Sequence, residues 1–351
     1  MSEFTGKKIL VVGGAGFVGS NLVHTLLADD PREALVVDNL LSAEACNVPA
    51  DPRVRFVRGS ITQESVLRRL PGDLDYVFHL ATYHGNQNSM ADPLADHENN
   101  TLTTLKLFER LKGMATLQRV VYSSAGCTVA EKTFDKANPT KEDAPVSLWL
   151  DSPYQISKII GEFYANYYFM RHKLPVVKAR FQNVYGPREI LGAGAWRGTP
   201  ATVWRNVTPT FIYKAMMKQP LPVENGGVAT RDFIYAEDVA RGLMACATRG
   251  EPGGTYNVAS GQETSILDLA LLINELTGNP TPIANAEKRP WDRSGRRYGA
   301  TEGSKSALGF AAQVDLEDGL KRTIAWTHQN LKVIEACMDR HRSRMGVAKA
   351  A

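Results

Sequence analysis

Long hydrophobic runs, paired cysteines and an excess of either charge are all missing from this chain of 351 residues. No apolar stretch approaches the roughly 20 residues that a bilayer-spanning helix needs. Residues 1–8 carry no signal-peptide core, so a cytoplasmic protein with no membrane partner is expected. The four cysteines, Cys46, Cys127, Cys246 and Cys337, form no CxxC pair and have no histidine at zinc-like spacing. Free thiols in a reducing compartment, and no metal site, are the expectation. Lys and Arg total 41 against 37 Asp and Glu, and the net charge of +4 is too balanced to draw nucleic acid or a membrane surface. Neither an internal repeat nor a low-complexity segment occurs. What remains is an ordinary globular composition, long enough for one large α/β unit or two lobes around a substantial core.

The stretch from Lys8 to Ser20 organises the rest. Ile9 to Val12 is a short β-branched run that reads as a buried parallel strand. Gly13, Gly16 and Gly19 follow at GxxGxxG spacing, and Asn21 to Leu27 has helical character. In a strand–turn–helix unit of this kind the first glycine permits the tight turn and the second admits a pyrophosphate to the backbone. The third lets helix and strand pack closely, and the helix N-terminus offers free N–H groups to the phosphates. Ala34 to Asp38 reads as a second strand ending in a carboxylate. That position accepts hydrogen bonds from an adenosine ribose diol and repels a 2′-phosphate, which favours NAD over NADP, although Arg32 is close enough to fold over it.

Further strands are expected at Val54–Val57, Asp75–Ala81, Arg119–Ser124 and Val176–Phe181, with another at Thr255–Ala259 near the sheet edge. Helices are expected at Gln63–Leu70, at Asn99–Lys112 with Leu102, Leu105, Phe108 and Leu111 recurring every three residues, and from Ser152 to about His172. Ser265 to Asp268 looks like a capping box opening another helix, ended by Gly278. Alternating strands and helices mean right-handed crossovers and a parallel sheet, with ligands beyond the carboxyl ends of the strands.

Tyr154 and Lys158 stand four apart on the Ser152 helix and so share one face. A phenol is a poor base unless its pKa is lowered, which a neighbouring ammonium does. Such pairs are common on solvated helices; downstream of a glycine loop the pair reads as catalytic. Together with the glycine loop and Asp38, the segments His79-Leu-Ala81, Asn100, Arg180 to Pro187 and Arg231 to Tyr235 follow in one order. This order resembles the extended short-chain dehydrogenase/reductase family, in its NAD-dependent nucleotide-sugar epimerase/dehydratase branch, from about Lys8 to Trp326.

The resemblance implies a Rossmann-type doubly wound parallel sheet with a smaller C-terminal α/β substrate-binding lobe. Residues 1–185 would hold NAD, with 231–260 returning to that domain, and 186–230 with 261–345 would hold a nucleotide-diphosphate sugar. Tyr154 would be the acid/base, and Lys158 would hold both the nicotinamide ribose and the tyrosine pKa. NAD would be held by Gly13, Gly16, Phe17, Val18, Gly19, Asp38, Asn39, Ser60, Ile61, Leu80, Ala81, Asn100, Ser123, Tyr154 and Lys158. Asn183 and Arg231 would meet the substrate's diphosphate, and His84 would border the sugar. Arg289-Pro-Trp-Asp292 resembles the family's Arg-x-Gly-Asp element, with Arg289 on phosphate and Asp292 on the nucleoside ribose. Arg293, Arg296 and Arg297 read as a solvated basic surface. A homodimer through the Asn99 and Tyr154 helices, and work on surface-polysaccharide or glycan precursors, are further implications; Phe163, Tyr167 and Met170 suit that interface or the core.

Departures from the family pattern refine the reading. The family's Ser or Thr three residues after the strand-five aromatic is Ala125 here, so the hydroxyl must come from Ser124 or Thr128. Ser60 stands where an Asp usually contacts adenine. Where sugar 4,6-dehydratases of the family carry an Asp-Glu pair, this chain has Gly126 and Cys127. Elimination of water needs an acid and a base beyond the tyrosine, so epimerisation, with C4 as the expected centre, is favoured over dehydration or net reduction. A non-catalytic NAD-binding protein is a third reading. His84 is either a second acid/base or a polar lining residue. Trp196, Arg197, Trp204 and Arg205 either meet the sugar or its carboxylate, or anchor a long loop.

Overall fold

The computed structural model describes residues 2–131, 133–288 and 295–345. Its strands are β1 (Lys8–Val12), β2 (Glu33–Asp38), β3 (Val54–Arg58), β4 (Tyr76–His79), β5 (Arg119–Ala125), β6 (Val176–Phe181) and β7 (Asn183–Tyr185). They continue with β8 (Pro222–Glu224), β9 (Thr230–Arg231), β10 (Phe233–Tyr235), β11 (Thr255–Val258), β12 (Thr264–Ser265) and β13 (Ala284–Ala286). Seven of them form one sheet in the order β11-β6-β5-β4-β1-β2-β3, every neighbouring pair parallel. This is the Rossmann-type doubly wound arrangement, and its order reverses between β1 and β4. The ends of those two strands therefore open the crevice. The Thr255 strand does close the sheet at one edge, against β6.

Both faces of the sheet are covered, and the sequence alternation says how. Ile9 and Val11 of β1 enter the apolar cluster on one face, with Leu22, Val23, Val239 and Leu243. Leu10 and Val12 enter the other, with Leu107, Phe108 and Tyr168. All four β1 side chains are at most 2% exposed, each stabilised by about 1.5–3 kcal/mol relative to exposure. The covering helices are α1 (Phe17–Leu27), the short α2 (Glu64–Leu67), α3 (Asn86–Ala91), α4 (Pro93–Asp96), α5 (Thr103–Leu111) and α6 (Pro153–His172). After them come α7 (Val207–Met216), α8 (Ala236–Arg249), α9 (Ile266–Thr277), α10 (Glu302–Leu308), α11 (Leu316–Gln329) and α12 (Leu331–Asp339). A third apolar cluster joins α7, β8, β10, α9 and α11 through Phe211, Ile212, Val223, Phe233, Leu269 and Leu320.

Three expected elements differ in extent. The Gln63 helix is a single turn, Glu64–Leu67. The expected fourth strand stops at His79, because Leu80 and Ala81 turn into the crevice. The Asn99 helix opens with a π-helical stretch, His97–Leu102, before α5. There the Asn100 side chain folds across to Tyr83 and Asp96 instead of following a regular turn. Such π-stretches concentrate at functional sites.

Candidate active site

A cavity of about 760 Å³ lies at the carboxyl ends of β1, β2, β4 and β5. Its floor is the glycine loop. Gly13 has φ +85°, and a Cβ there would stand 2.5 Å from the Ala81 nitrogen across the switch point. A Cβ on Gly19 would stand 2.1 Å from the Gly13 carbonyl oxygen, so helix α1 sits directly on the loop. On Gly16 it would meet only the Gly13 oxygen, at 3.2 Å, and Gly16 faces the cavity. The α1 N-terminus has no side-chain cap and no acidic residue in its first turn, so the N–H groups around Phe17, Val18 and Gly19 are left to a ligand. This cradle suits a pyrophosphate.

Asp38 ends β2 at the cavity and accepts from the Ala15 nitrogen at 3.1 Å and the Leu40 nitrogen at 2.8 Å. Burial raises its carboxyl pKa, and those backbone donors and the charge of Arg205 only partly offset it. Arg32 is exposed and does not line the cavity; the cation acting on Asp38 is Arg205 instead. Asn39, Ser60, Ile61, Leu80, Ala81 and Ser123 also line the space. Asp38 and the cradle together fit a dinucleotide whose adenosine ribose carries a free diol.

The reacting end is fixed by α6. Ser152 caps it, accepting from the Gln155 nitrogen at 3.3 Å. A Cβ on Gly161 would lie 2.0 Å from the Tyr122 hydroxyl oxygen, so the helix rests directly on β5, and Tyr122 donates to the Lys158 carbonyl at 3.2 Å. One turn earlier, Tyr154 and Lys158 both face the cavity. The Lys158 ammonium donates to the Ser123 carbonyl oxygen at 3.0 Å. Burial brings its pKa down to about 8, against the opposing pull of Asp96 and Cys127. The tyrosine departs from expectation. Its phenol pKa is raised, first by burial and then by Cys127 and Asp96, while Arg297 opposes. Desolvation outweighs the help from Arg297.

The structure separates the two candidate hydroxyls. Ser124 lines the cavity, and its buried Oγ has no hydrogen-bond partner among the described residues. Thr128 donates to the Ala125 carbonyl at 2.7 Å and is not among the lining residues. Asn100 also stays out of the cavity. Its Oδ1 accepts from the Tyr83 nitrogen at 2.6 Å and Thr82 at 3.0 Å, and its Nδ2 donates to Asp96 at 2.7 Å and Ser157 at 3.1 Å. Asn100 thus holds the loop that carries His84. The His84 ring packs edge-on to Tyr154, with centroids 5.7 Å apart. Burial, then Arg205, Arg197 and Lys158, bring its pKa down to about 3, so it is neutral at pH 7.

Asn183 and Arg231 line the far part of the cavity, where Arg231 donates to the Gly295 carbonyl at 2.7 Å. Arg289 and Asp292 lie outside the described residues, as does Arg293. Arg296 pairs with Glu263 at 2.9 Å, while Arg297 lines the cavity rather than facing solvent. Sequence reasoning missed Glu189, Asn206, Thr210 and Lys214, all in this wall. Glu189 accepts from Asn206, and burial pushes its carboxyl up to about 7. Trp196 packs against His341 away from the cavity, while Trp204, packed against Tyr213 and under Lys214, also lines the cavity together with Arg205. Among the described residues no group of three His, Cys, Asp or Glu side chains is arranged to hold a metal, and no helix is long and apolar enough to cross a membrane.

Residues 9–259 match the model of the NAD dependent epimerase/dehydratase family. The UDP-glucose 4-epimerase of Mycolicibacterium smegmatis is 30% identical over 321 residues, covering 90% of this chain and 97% of that one. A trifunctional UDP-glucose 4,6-dehydratase/UDP-4-keto-6-deoxy-D-glucose 3,5-epimerase/UDP-4-keto-L-rhamnose-reductase of Arabidopsis thaliana is 29% identical over 92% of this chain. The chain spans about half of that enzyme, 47% of its length. Among solved structures, the Bordetella bronchiseptica enzyme WbmF in complex with NAD+ and UDP matches with a TM-score of 0.89 at 59% identity, covering 99% of each chain.

Proposed function

This chain belongs to the NAD dependent epimerase/dehydratase family, and from that premise we propose that it epimerises the sugar of a nucleotide-diphosphate sugar at C4, through a transient keto sugar. NAD is the cofactor, and the substrate's nucleotide is a uridine or thymidine diphosphate, the chemistry named for the relatives. Residues 1–185 with 231–260 hold the cofactor in this reading, and 186–230 with 261–345 hold the nucleotide sugar.

One observation carries epimerisation over dehydration. The β5 end beside Tyr154 offers the cavity only Ser123, Ser124, Ala125 and Cys127. Elimination needs a proton donor and a proton acceptor beyond the tyrosine, the task the dehydratases of the family give to a carboxyl pair. Among the described residues the lining carboxylates, Asp38, Glu189 and Glu224, sit on other elements, and none of them is among the groups that act on the Tyr154 phenol.

The chain's own residues then have defined tasks. Tyr154 takes the proton from the sugar hydroxyl and later returns it, and Ser124 donates a hydrogen bond to the same oxygen. Lys158, protonated below about pH 8, supplies the positive charge that favours the phenolate. NAD, when bound, would contribute a hydride acceptor and a second positive charge, the counterweight to the burial that raises the phenol. His84, neutral, lines the sugar.

A second copy packing on α6 belongs to the same proposal. Phe163, Tyr167 and Met170 are 56%, 48% and 64% exposed, so they are not core residues, and Ile156 lies exposed on the same helix. A cytoplasmic location and a role in surface-polysaccharide or glycan precursor synthesis complete it. The test is incubation of the purified holoenzyme with UDP- and dTDP-hexoses and hexuronates, with products identified by NMR. A C4 epimer is expected; a 4-keto-6-deoxy sugar would replace this reading with dehydration.

A further inference from the structure

The rim of the cavity beside Asp38 is formed by residues 39–43, of which Asn39, Leu41, Ser42 and Ala43 line the space. Exposed connections of this length open easily when nothing covers them. This one is gripped at three positions, 41, 42 and 44. The Leu41 carbonyl accepts from the Ala195 nitrogen at 2.9 Å and from Arg197 Nη1 at 3.3 Å. The Ser42 carbonyl accepts from Arg205 Nη1 at 2.8 Å. The Glu44 carboxylate accepts from the Gly194 nitrogen at 2.9 Å. Gly194 has φ +80°, and a Cβ there would stand 2.3 Å from the Leu41 carbonyl oxygen, so only glycine permits the contact.

The gripping loop is itself seated on α12. Ile190, Leu191 and Ala193 share an apolar cluster with Ile334 and Cys337 of α12. His341 Nε2 lies 3.0 Å from the Gly192 carbonyl oxygen. Arg340 then closes the ring by donating directly to Glu44, the residue that also receives Gly194. Residues 41–44, 190–205 and 334–341 thus form three layers with one carboxylate, Glu44, joining all of them.

We infer that this three-layer clasp sets how long NAD stays bound, with Arg340 on the C-terminal segment and Glu44 as the pin that holds the 39–43 rim over the adenosine half of the cofactor. Arg197 shows how much of the layer is committed to the rim: it is 4% exposed, and its guanidinium donates to a backbone carbonyl of the rim rather than pairing with a carboxylate. A cofactor that must hand its hydride back to the same sugar gains from a slow exit, and exit is gated by whatever must open. The inference rests on cofactor binding alone and holds whichever reaction the site performs.

The test uses holoenzyme as purified and follows release of NAD after rapid dilution, by chromatography of the freed nucleotide. Glu44→Gln keeps an oxygen for the Gly194 nitrogen but loses the charge; Arg340→Gln removes the other partner. Each is expected to release NAD about three to five times faster, the scale of a partly exposed ion pair. The double variant should be no faster than either, since both break one link. Arg342→Gln, which breaks the Arg342–Asp339 pair on the same segment, should release at the parental rate. Parental rates in the Glu44 and Arg340 variants, or equal acceleration in Arg342→Gln, overturn the inference. Thermal unfolding of the nucleotide-free variants supplies the second readout: unchanged midpoints with faster release support a clasp, and lowered midpoints with parental release contradict it.

Discussion

The two walls of the cavity are built by opposite means. On the sheet wall the devices that shape each element are local, namely the Gly13 to Gly19 loop, the Ser152 cap, and Tyr154 and Lys158 four residues apart, and longer reaches such as Gly161 on Tyr122 join neighbouring elements. On the facing wall the devices span the chain. Arg205 reaches Ser42 across 163 residues, and Gly194 reaches Glu44 across 150. The difference teaches where chemistry and recognition are kept. The groups proposed to react sit on a helix resting directly on a buried strand, which holds them to a fixed geometry, while the proposed substrate side is a long loop held by contacts to distant residues.

The strongest way to break this contrast is at the sheet wall. Tyr154→Phe removes the proton carrier, and turnover should fall by about a thousandfold or more while NAD stays bound. Undiminished kcat would mean that the acid/base lies elsewhere. Glycine substitutions come next. Gly19→Ala forces its Cβ against the Gly13 carbonyl and should cost about 1–3 kcal/mol, read as a lower Tm together with loss of NAD. Gly16→Ala has room in the protein and only the ligand to collide with, so Tm should hold while NAD affinity drops. Equal Tm losses in the two would show that the cradle is a packing feature and not a binding one.

The two hydroxyls sharpen the comparison further. Ser124→Ala should lower kcat about tenfold to a hundredfold with little change in KM, as expected for a donor to the reacting oxygen. Thr128→Val should leave kcat within about twofold and cost about 1 kcal/mol of stability through its lost bond to Ala125. The reverse pattern would hand the role to Thr128.

The smallest expected effect is in acid. His79, His84 and His24 have pKa values brought down to about 3, 3 and 4, each chiefly by burial. Unfolded, they take protons below about pH 6.5, and folded they do not. The unfolded state therefore binds more protons between pH 6.5 and those lower values, and stability falls as pH falls through that window. His79 donates to or accepts from only Thr104 and is 1% exposed. In His79→Gln the pH slope of ΔG unfolding should lessen by about one proton over pH 4–6; an unchanged slope would remove His79 from this account.

Much of the sheet wall was legible in the sequence because its signals are short-range. The glycine spacing, the β-branched runs and the serine caps each act within one turn or strand, and the elements they announce are present. Boundaries shifted where a side chain overrode regular geometry, as Asn100 does in the π-helical stretch. The same residue shows what a motif leaves unsaid: its position matches a family landmark, and its side chain ties the His84 loop, Asp96 and Ser157 together. Glu189, Asn206 and Lys214 gave no signal, since nothing in their local sequence says which cavity a long loop will face. Arg297 was misread as surface for the same reason. The clasp could not be read at all, because Glu44 and Arg340 stand 296 residues apart.

The central claim is tested most directly by running the reaction in deuterium oxide and examining the product sugar by NMR. Direct hydride return at C4 predicts an epimer carrying no solvent deuterium on any ring carbon, with NAD unchanged at the end. Deuterium on a ring carbon would contradict it, showing instead that a carbon acid beside a keto group is deprotonated, with Cys127 or His84 as the base.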